Sequence, residues 1–207
     1  MSPRPNRVTP TGEVAAIALR GAWMGNRGIL HADAGHIVRH HVGSLWIICE
    51  LSFRGWRARQ WEPHHYTPLF FHDEAVALAA GHRPCALCRR EAYQGFRTAV
   101  AETEGSTAVL TAKALDGRLH SERLVPRTSR QNPHRLAWGD LPDGAFMMLD
   151  QAPNLLWRNR IIPWTVEGYA AARPAPHGGE VDVLTPPTTL AALRGGYRPQ
   201  VDPAATC

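Results

Sequence analysis

Two cysteines separated by two residues, Cys85-Ala86-Leu87-Cys88, are the part of this chain best suited to chemistry. A C-x-x-C turn at a helix start holds two sulfurs about 3–4 Å apart, so that one Zn²⁺ can take both at about 2.3 Å. Zinc, plain buried thiols and a redox pair are the three uses open to it. A redox C-x-x-C follows the strand of a βαβ unit, whereas residues 74–80 here read as a helix, which favours metal. Tetrahedral zinc needs two further donors. Cys49, closing the apolar run Leu45-Trp46-Ile47-Ile48, is the other internal cysteine, and Cys207 is terminal and expected to be free. A histidine should complete the set, and eight of the eleven crowd together: His31, His36, His40, His41, His64, His65, His72 and His82.

Arginine offers the second chemistry. Lysine and arginine number 23 against 18 acids, a net charge of +5, and all but Lys113 of the 23 are arginine. A planar guanidinium grips phosphate bidentately where an ammonium cannot. The abundant Ala, Gly and Pro fit codon bias equally well, so the charge permits a nucleic-acid partner without demanding one. The segment Phe53-Arg54-Gly55-Trp56-Arg57-Ala58-Arg59-Gln60-Trp61 interleaves both residue types that track phosphates and stack bases, or that simply stack on each other on a wet sheet. Trp23-Met24-Gly25-Asn26-Arg27-Gly28 resembles a tight glycine-rich turn.

Two enzyme patterns fail on spacing. Zinc deaminases pair H-x-E with a later P-C-x-x-C, and His72-Asp73-Glu74 with Pro84-Cys85-Ala86-Leu87-Cys88 match by letter. Only nine residues separate Glu74 from Pro84, too few for the helix, loop and strand that must intervene. A histidine-dependent nuclease built from His40-His41 and Asn132-Pro133-His134 matches no motif spacing either; the alternative kept is a metal-dependent enzyme whose pocket lies between the lobes and uses the histidines from His31 to His65. At 44% apolar and 20% charged, the composition is globular. No apolar run approaches the roughly 20 residues of a membrane span, and residues 1–10, with three prolines, are expected to carry no secretory signal. The expected compartment is the reducing cytoplasm, where disulfides are rare.

The elements that must place these residues follow from period and punctuation. Residues 1–12 read as a proline-rich tail, and residues 44–61 as a β-hairpin or meander. Asp73 is an N-cap for a helix over 74–80 that Gly81 ends. A second helix should run over 88–104, with Leu87, Tyr93, Phe96 and Val100 on its buried stripe. Residues 105–140, rich in arginine and broken by prolines, read as a loop or linker. Short strands over 145–149, 155–157, 161–164 and 180–184, then a helix over 188–194, predict a small antiparallel sheet with helical cover. The run Ala77 to Pro84 is echoed by Ala192 to Pro199: helix, glycine stop, aromatic ring, arginine, proline.

Residues 69–90, LFFHDEAVALAAGHRPCALCRR, resemble the second half of the metal-binding module of Ada-type DNA methylation repair proteins. That module runs strand, acid-capped Ala-rich helix, then G-[YF]-R-P-C-x-x-C. The resemblance implies that Cys85 and Cys88 supply the last two zinc thiolates. The family's first half carries C-x₃-C, one cysteine of which accepts a methyl group from DNA; no C-x₃-C occurs here. Cys49 then stands for one missing member and His31, or one of His64-His65, for the other, which implies a structural zinc rather than methyl transfer. The whole chain is also similar to a bacterial protein family, a likeness that implies no activity.

The resulting expectation is an α+β protein of small antiparallel sheets and a few short helices. Residues 1–104 would form a lobe around a Cys/His zinc site of Cys85, Cys88, Cys49 and His31, and residues 105–207 a second α+β lobe. Beside the zinc, Arg54, Arg57, Arg59, Arg83, Arg89 and Arg90 are expected to contact DNA or RNA.

Overall fold

The computed structural model of the chain describes residues 3–32, 35–176 and 178–205. Strands β1 (Pro5–Val8), β2 (Val14–Ala16), β3 (Trp23–Asn26), β4 (Ile47–Cys49), β5 (Leu69–Phe71) and β6 (Arg83–Pro84) form one sheet in the order β2-β1-β5-β3-β4-β6. Its pairs are antiparallel except β1 with β5 and β4 with β6. The β4–β6 pair sets Ile47 opposite Arg83 and Ile48 opposite Pro84, so the residues following the two strands emerge side by side. Residues 5–8, expected in a tail, are thus an inner strand. Pro5 sits at its first position, where a missing N–H does least harm, and Asn6 and Val8 are buried.

Strands β7 (His134–Ala137), β8 (Phe146–Leu149), β9 (Ala152–Trp157), β10 (Arg160–Thr165), β11 (Gly168–Tyr169), β12 (Arg173–Pro174) and β13 (Glu180–Val183) make the second sheet. It is antiparallel throughout, in the order β11-β10-β9-β8-β13-β7, with β12 also on β10. Two-residue turns join β8 to β9 and β9 to β10. Asp150-Gln151 and Arg158-Asn159 all have positive φ, between 51° and 62°, as hairpin turns matching the strand twist require.

Four helices accompany the sheets: α1 (Glu74–Ala79), α2 (Arg90–Thr103), α3 (Ala112–Arg123) and α4 (Pro187–Arg194). Asp73 caps α1 as expected, its carboxylate accepting from the Val76 N–H at 2.9 Å. The echoed sequences are one device used twice. His82 N–H bonds the Ala77 carbonyl and Gly81 N–H that of Leu78; Tyr197 and Gly196 repeat this with Ala192 and Leu193. Both glycines have positive φ, 82° and 93°, the left-handed cap that glycine adopts without strain.

The region expected to be a linker contains α3 and β7 instead. Thr111 caps α3 by accepting from Ala114 N–H at 3.2 Å, and Leu115 and Leu119, one turn apart, are fully buried. Asp116 and Arg123 share that buried face, so its polar letters hide the period. Leu87, expected on the apolar stripe of α2, is 69% exposed because α2 starts only at Arg90, while Tyr93, Phe96 and Val100 are buried. One apolar cluster runs from Val8, Ile48 and Phe71 through Phe96 and Leu119 to Val183, Leu190 and Tyr197, spanning both sides of residue 104.

Candidate metal centre

Cys49 ends β4, and Cys85 follows β6 directly, its N–H bonding the Ile48 carbonyl at 2.9 Å. Parallel pairing therefore puts these two sulfurs side by side, and the turn into α2 brings Cys88 back over them. The three Sγ atoms all lie within 4.8 Å of one another. A tetrahedral Zn²⁺ with bonds of about 2.3 Å needs sulfur separations of about 3.8 Å, so small side-chain rotations suffice to hold an ion. Met24 shares the buried pocket, and Ala58, Tyr66 and Phe70 pack around it.

Backbone donors favour the thiolates. Leu87 N–H points at the Cys85 sulfur (3.4 Å) and Glu50 N–H at that of Cys88 (3.5 Å). Hydrogen bonding from Cys49, together with the N–H groups of Cys88 and Leu87, holds Cys85 down at about 5 against the opposing effect of burial. Cys88 is lowered by Cys49 first and by the Glu50 N–H. Cys49, giving its hydrogen bonds to both neighbours, is pushed far up. Burial, and then the charges on the sulfurs, push Tyr66 up to about 12. The corner is set for negative charge and a cation to match it.

His31 does not join the thiols. Its Nδ1 bonds Thr67 Oγ1 at 2.7 Å, its Nε2 meets the Glu62 carbonyl at 3.3 Å, and its ring packs edge-on to Trp61. His64 and His65 are exposed, His65 bonding the Pro63 carbonyl. Among the described residues, the three cysteines are the one convergence of three or more His, Cys, Asp or Glu donors. Cys207 lies outside the described residues. The His72-Asp73-Glu74 run is a structural clamp. Glu74 accepts from Tyr197 Oη (2.5 Å) and Gln200 N–H (3.0 Å) and pairs with Arg89 (2.8 Å), while Asp73 binds Tyr169 Oη and Asp202 N–H.

The six arginines separate into two kinds. Arg83 is buried in a bidentate pair with Asp116 of α3, at 2.8 and 2.9 Å, and Arg89 is buried between Glu74 and the face of Trp23. Arg83 spends its donors inside the fold, and the charge of Arg89 is met there by Glu74. Arg54, Arg57, Arg59 and Arg90 are exposed. Of the hairpin or meander expected over 44–61, strand β4 forms and is followed by one tight turn, with Phe53 and Trp56 exchanging backbone bonds at 3.0 Å around Arg54 and Gly55; residues 57–61 add no strand. A shallow cavity of about 450 Å³ beside Cys88 is lined by Arg54, Arg89 and Arg90, together with Glu50 and Glu91.

Trp23–Asn26, read as part of a glycine-rich turn, is strand β3, and Arg27 beyond it is fully buried. No helix of the described chain is long and apolar enough to cross a membrane. No protein-family model, curated protein or solved structure matches the chain.

Proposed function

We propose that the chain is a zinc-binding protein whose Cys49–Cys85–Cys88 centre is structural, and which associates with nucleic acid through arginines beside that centre. The convergence of three sulfurs from two strand ends and one helix start carries this reading. N–H groups aimed at Cys85 and Cys88 support thiolate ligation, and soft thiolates favour zinc over magnesium or calcium. The reading places the protein in the cytoplasm, where thiols stay reduced. It treats residues 1–104 as an Ada-like zinc-containing lobe and residues 105–207 as its α+β companion, and it limits the nucleic-acid contacts to the exposed Arg54, Arg57, Arg59 and Arg90.

Three thiolates leave one tetrahedral position for a further donor. Protein purified without added metal should contain close to one zinc per chain by elemental analysis. X-ray absorption should find three sulfur neighbours and one lighter atom at the zinc, and a fourth sulfur would overturn that ligand set. Binding to short single- and double-stranded oligonucleotides, followed from about 50 to about 200 mM salt, should weaken steeply as counterions compete. Absence of zinc would refute the first half of the reading; absence of salt-dependent binding would refute the second.

A further inference from the structure

At the opposite end of the β4–β6 pair from the thiols, two guanidiniums stack on one indole. Arg27 lies 3.9 Å and Arg123 4.0 Å from the centre of a Trp46 ring. Both are buried, and neither forms an ion pair among the described residues. Arg27 gives its N–H groups to the Gly12 carbonyl (3.0 Å), His82 Nε2 (3.1 Å) and His40 Nε2 (2.9 Å). Arg123 gives its own to the Gly81 and Ser44 carbonyls (2.8 and 2.7 Å) and to His120 Nδ1 (2.9 Å). Arg27 Nη2, Arg123 Nε and Trp46 Nε1 have no partner. Asp116 and Glu122 act on Arg123, but Asp116 is bonded to Arg83 and Glu122 to Thr188. Buried charge without a counter-charge is costly, and a bound anion would offset it.

His40 and His120, which these guanidiniums bond, form part of the wall of a groove. His40, His41 and His120, all partly exposed, line a cavity of about 660 Å³ together with the loop after α3. A neighbouring cavity of about 700 Å³ shares His40 and Ser129 with it. Exposed Arg39, Arg127 and Arg130 line the two, and Glu13 is the one acid among their lining residues. In that loop Thr128 N–H closes a turn on the Val125 carbonyl at 3.1 Å. Arg127 occupies the position of positive φ, 62°, where glycine or asparagine is usual.

We propose that this groove binds phosphate, carried by a nucleotide or by a polynucleotide backbone. The phosphate rests against His41 and His120, Arg39, Arg127 and Arg130 hold its oxygens, and Arg27 and Arg123 supply positive charge from below. Guanidiniums suit a tetrahedral anion of several oxygens better than a carboxylate, and a cavity of this size admits a nucleotide. The site rests neither on the metal centre nor on the arginines near Cys88.

The test is calorimetric titration of the zinc-loaded chain with inorganic phosphate, a 5′-mononucleotide and a short single-stranded oligonucleotide, alongside imidazole proton NMR. Saturable binding should shift the His41 and His120 signals and leave those of His64 and His65 in place. The Arg127→Ala/Arg130→Ala double variant, altered only at exposed positions, should weaken binding about tenfold or more, whereas Arg54→Ala/Arg57→Ala/Arg59→Ala should leave binding of inorganic phosphate unchanged. Equal affinity for mononucleotide and oligonucleotide assigns a nucleotide pocket; binding of the oligonucleotide alone assigns a backbone groove. No saturable binding at low salt, unmoved His41 and His120 signals, or affinity indifferent to the Arg127/Arg130 variant would overturn the proposal.

Discussion

At one end of the β4–β6 pair lie Cys49, Cys85 and Cys88; at the other lie Trp46, His82 and the guanidinium of Arg123, bonded to the carbonyls of Ser44 and Gly81 that lead into the two strands. The same two strands thus hold a cluster set for negative charge at one end and an unpaired positive cluster at the other. The difference teaches how buried charge should be read. Arg83 and Arg89 are equally buried, yet each meets a carboxylate, so their job is finished inside the fold. The thiols and the Arg27–Arg123 pair meet no such partner within the described residues, and the proposed partners are a metal for the first and a phosphate for the second.

The largest effect expected is at the thiol end. Structural zinc contributes on the order of 10 kcal/mol in small metal-dependent folds, comparable with the whole stability of a typical domain. Chelation, or Cys85→Ser, should therefore unfold the N-terminal sheet, read as loss of both zinc content and cooperative thermal melting. A Cys85→Ser protein that keeps its metal and its melting temperature would erase the contrast between the two ends.

Next in size are the arginines. Asp116→Ala strands Arg83 in the interior and should cost about 3–5 kcal/mol in chemical denaturation. Arg27→Met removes a guanidinium that has no carboxylate, keeping much of its volume over Trp46, and should cost less than Asp116→Ala. Phosphate should raise the melting temperature of the unaltered chain more than that of Arg27→Met. Equal losses in the two variants would mean that Arg27 is as fully compensated as Arg83.

How far these two ends can be read from sequence differs for a physical reason. Cys85, Cys88 and Cys49 are recoverable because thiol pairs have few other uses in a reducing compartment and an apolar strand leads into the third. The helix α1, with its Asp73 cap and Gly81 stop, is equally legible, since capping is local chemistry. His31 is not: its burial against Thr67 is decided by how residues 27–31 and 61–67 fold together, which no spacing encodes. The Arg27–Trp46–Arg123 stack joins three segments far apart in sequence. Its one outward sign was the histidine crowding around residue 40, and Arg123 lay in a stretch read as linker because α3 buries charged residues in place of apolar ones.

The histidine end adds a pH dependence of its own to that of the thiol end, where protons compete for the sulfurs. Burial first, then the charge on Arg27, holds His40 down at about 4. His41 is lowered by burial and then by Arg123 and Arg27, His120 by burial and then by Arg123, and His82 well below its ordinary value by burial and then both arginines. In the unfolded chain these groups protonate near 6.5, so below that pH the unfolded state binds more protons and folding stability falls. The histidine contribution to the denaturation midpoint should be flat above about pH 7 and decline from about 6.5 toward 4. His40→Gln should flatten part of that decline, and a slope unchanged by it would place the proton uptake elsewhere.

The smallest effect on stability, and the sharpest on binding, belongs to the exposed arginines. Arg57 and Arg59 touch little of the fold, so Arg57→Ala/Arg59→Ala should alter stability by no more than about 0.5 kcal/mol. If they meet a single-stranded backbone beside the metal, each loss should reduce the slope of log affinity against log salt by about 0.7, without changing the NMR response of His41 and His120 to phosphate. Arg127→Ala/Arg130→Ala should do the reverse, abolishing the imidazole response. A chain in which both double variants reduce the slope and only the second silences the histidines uses two surfaces on one strand of nucleic acid. A chain in which only the second variant matters leaves the thiol end to metal and folding alone.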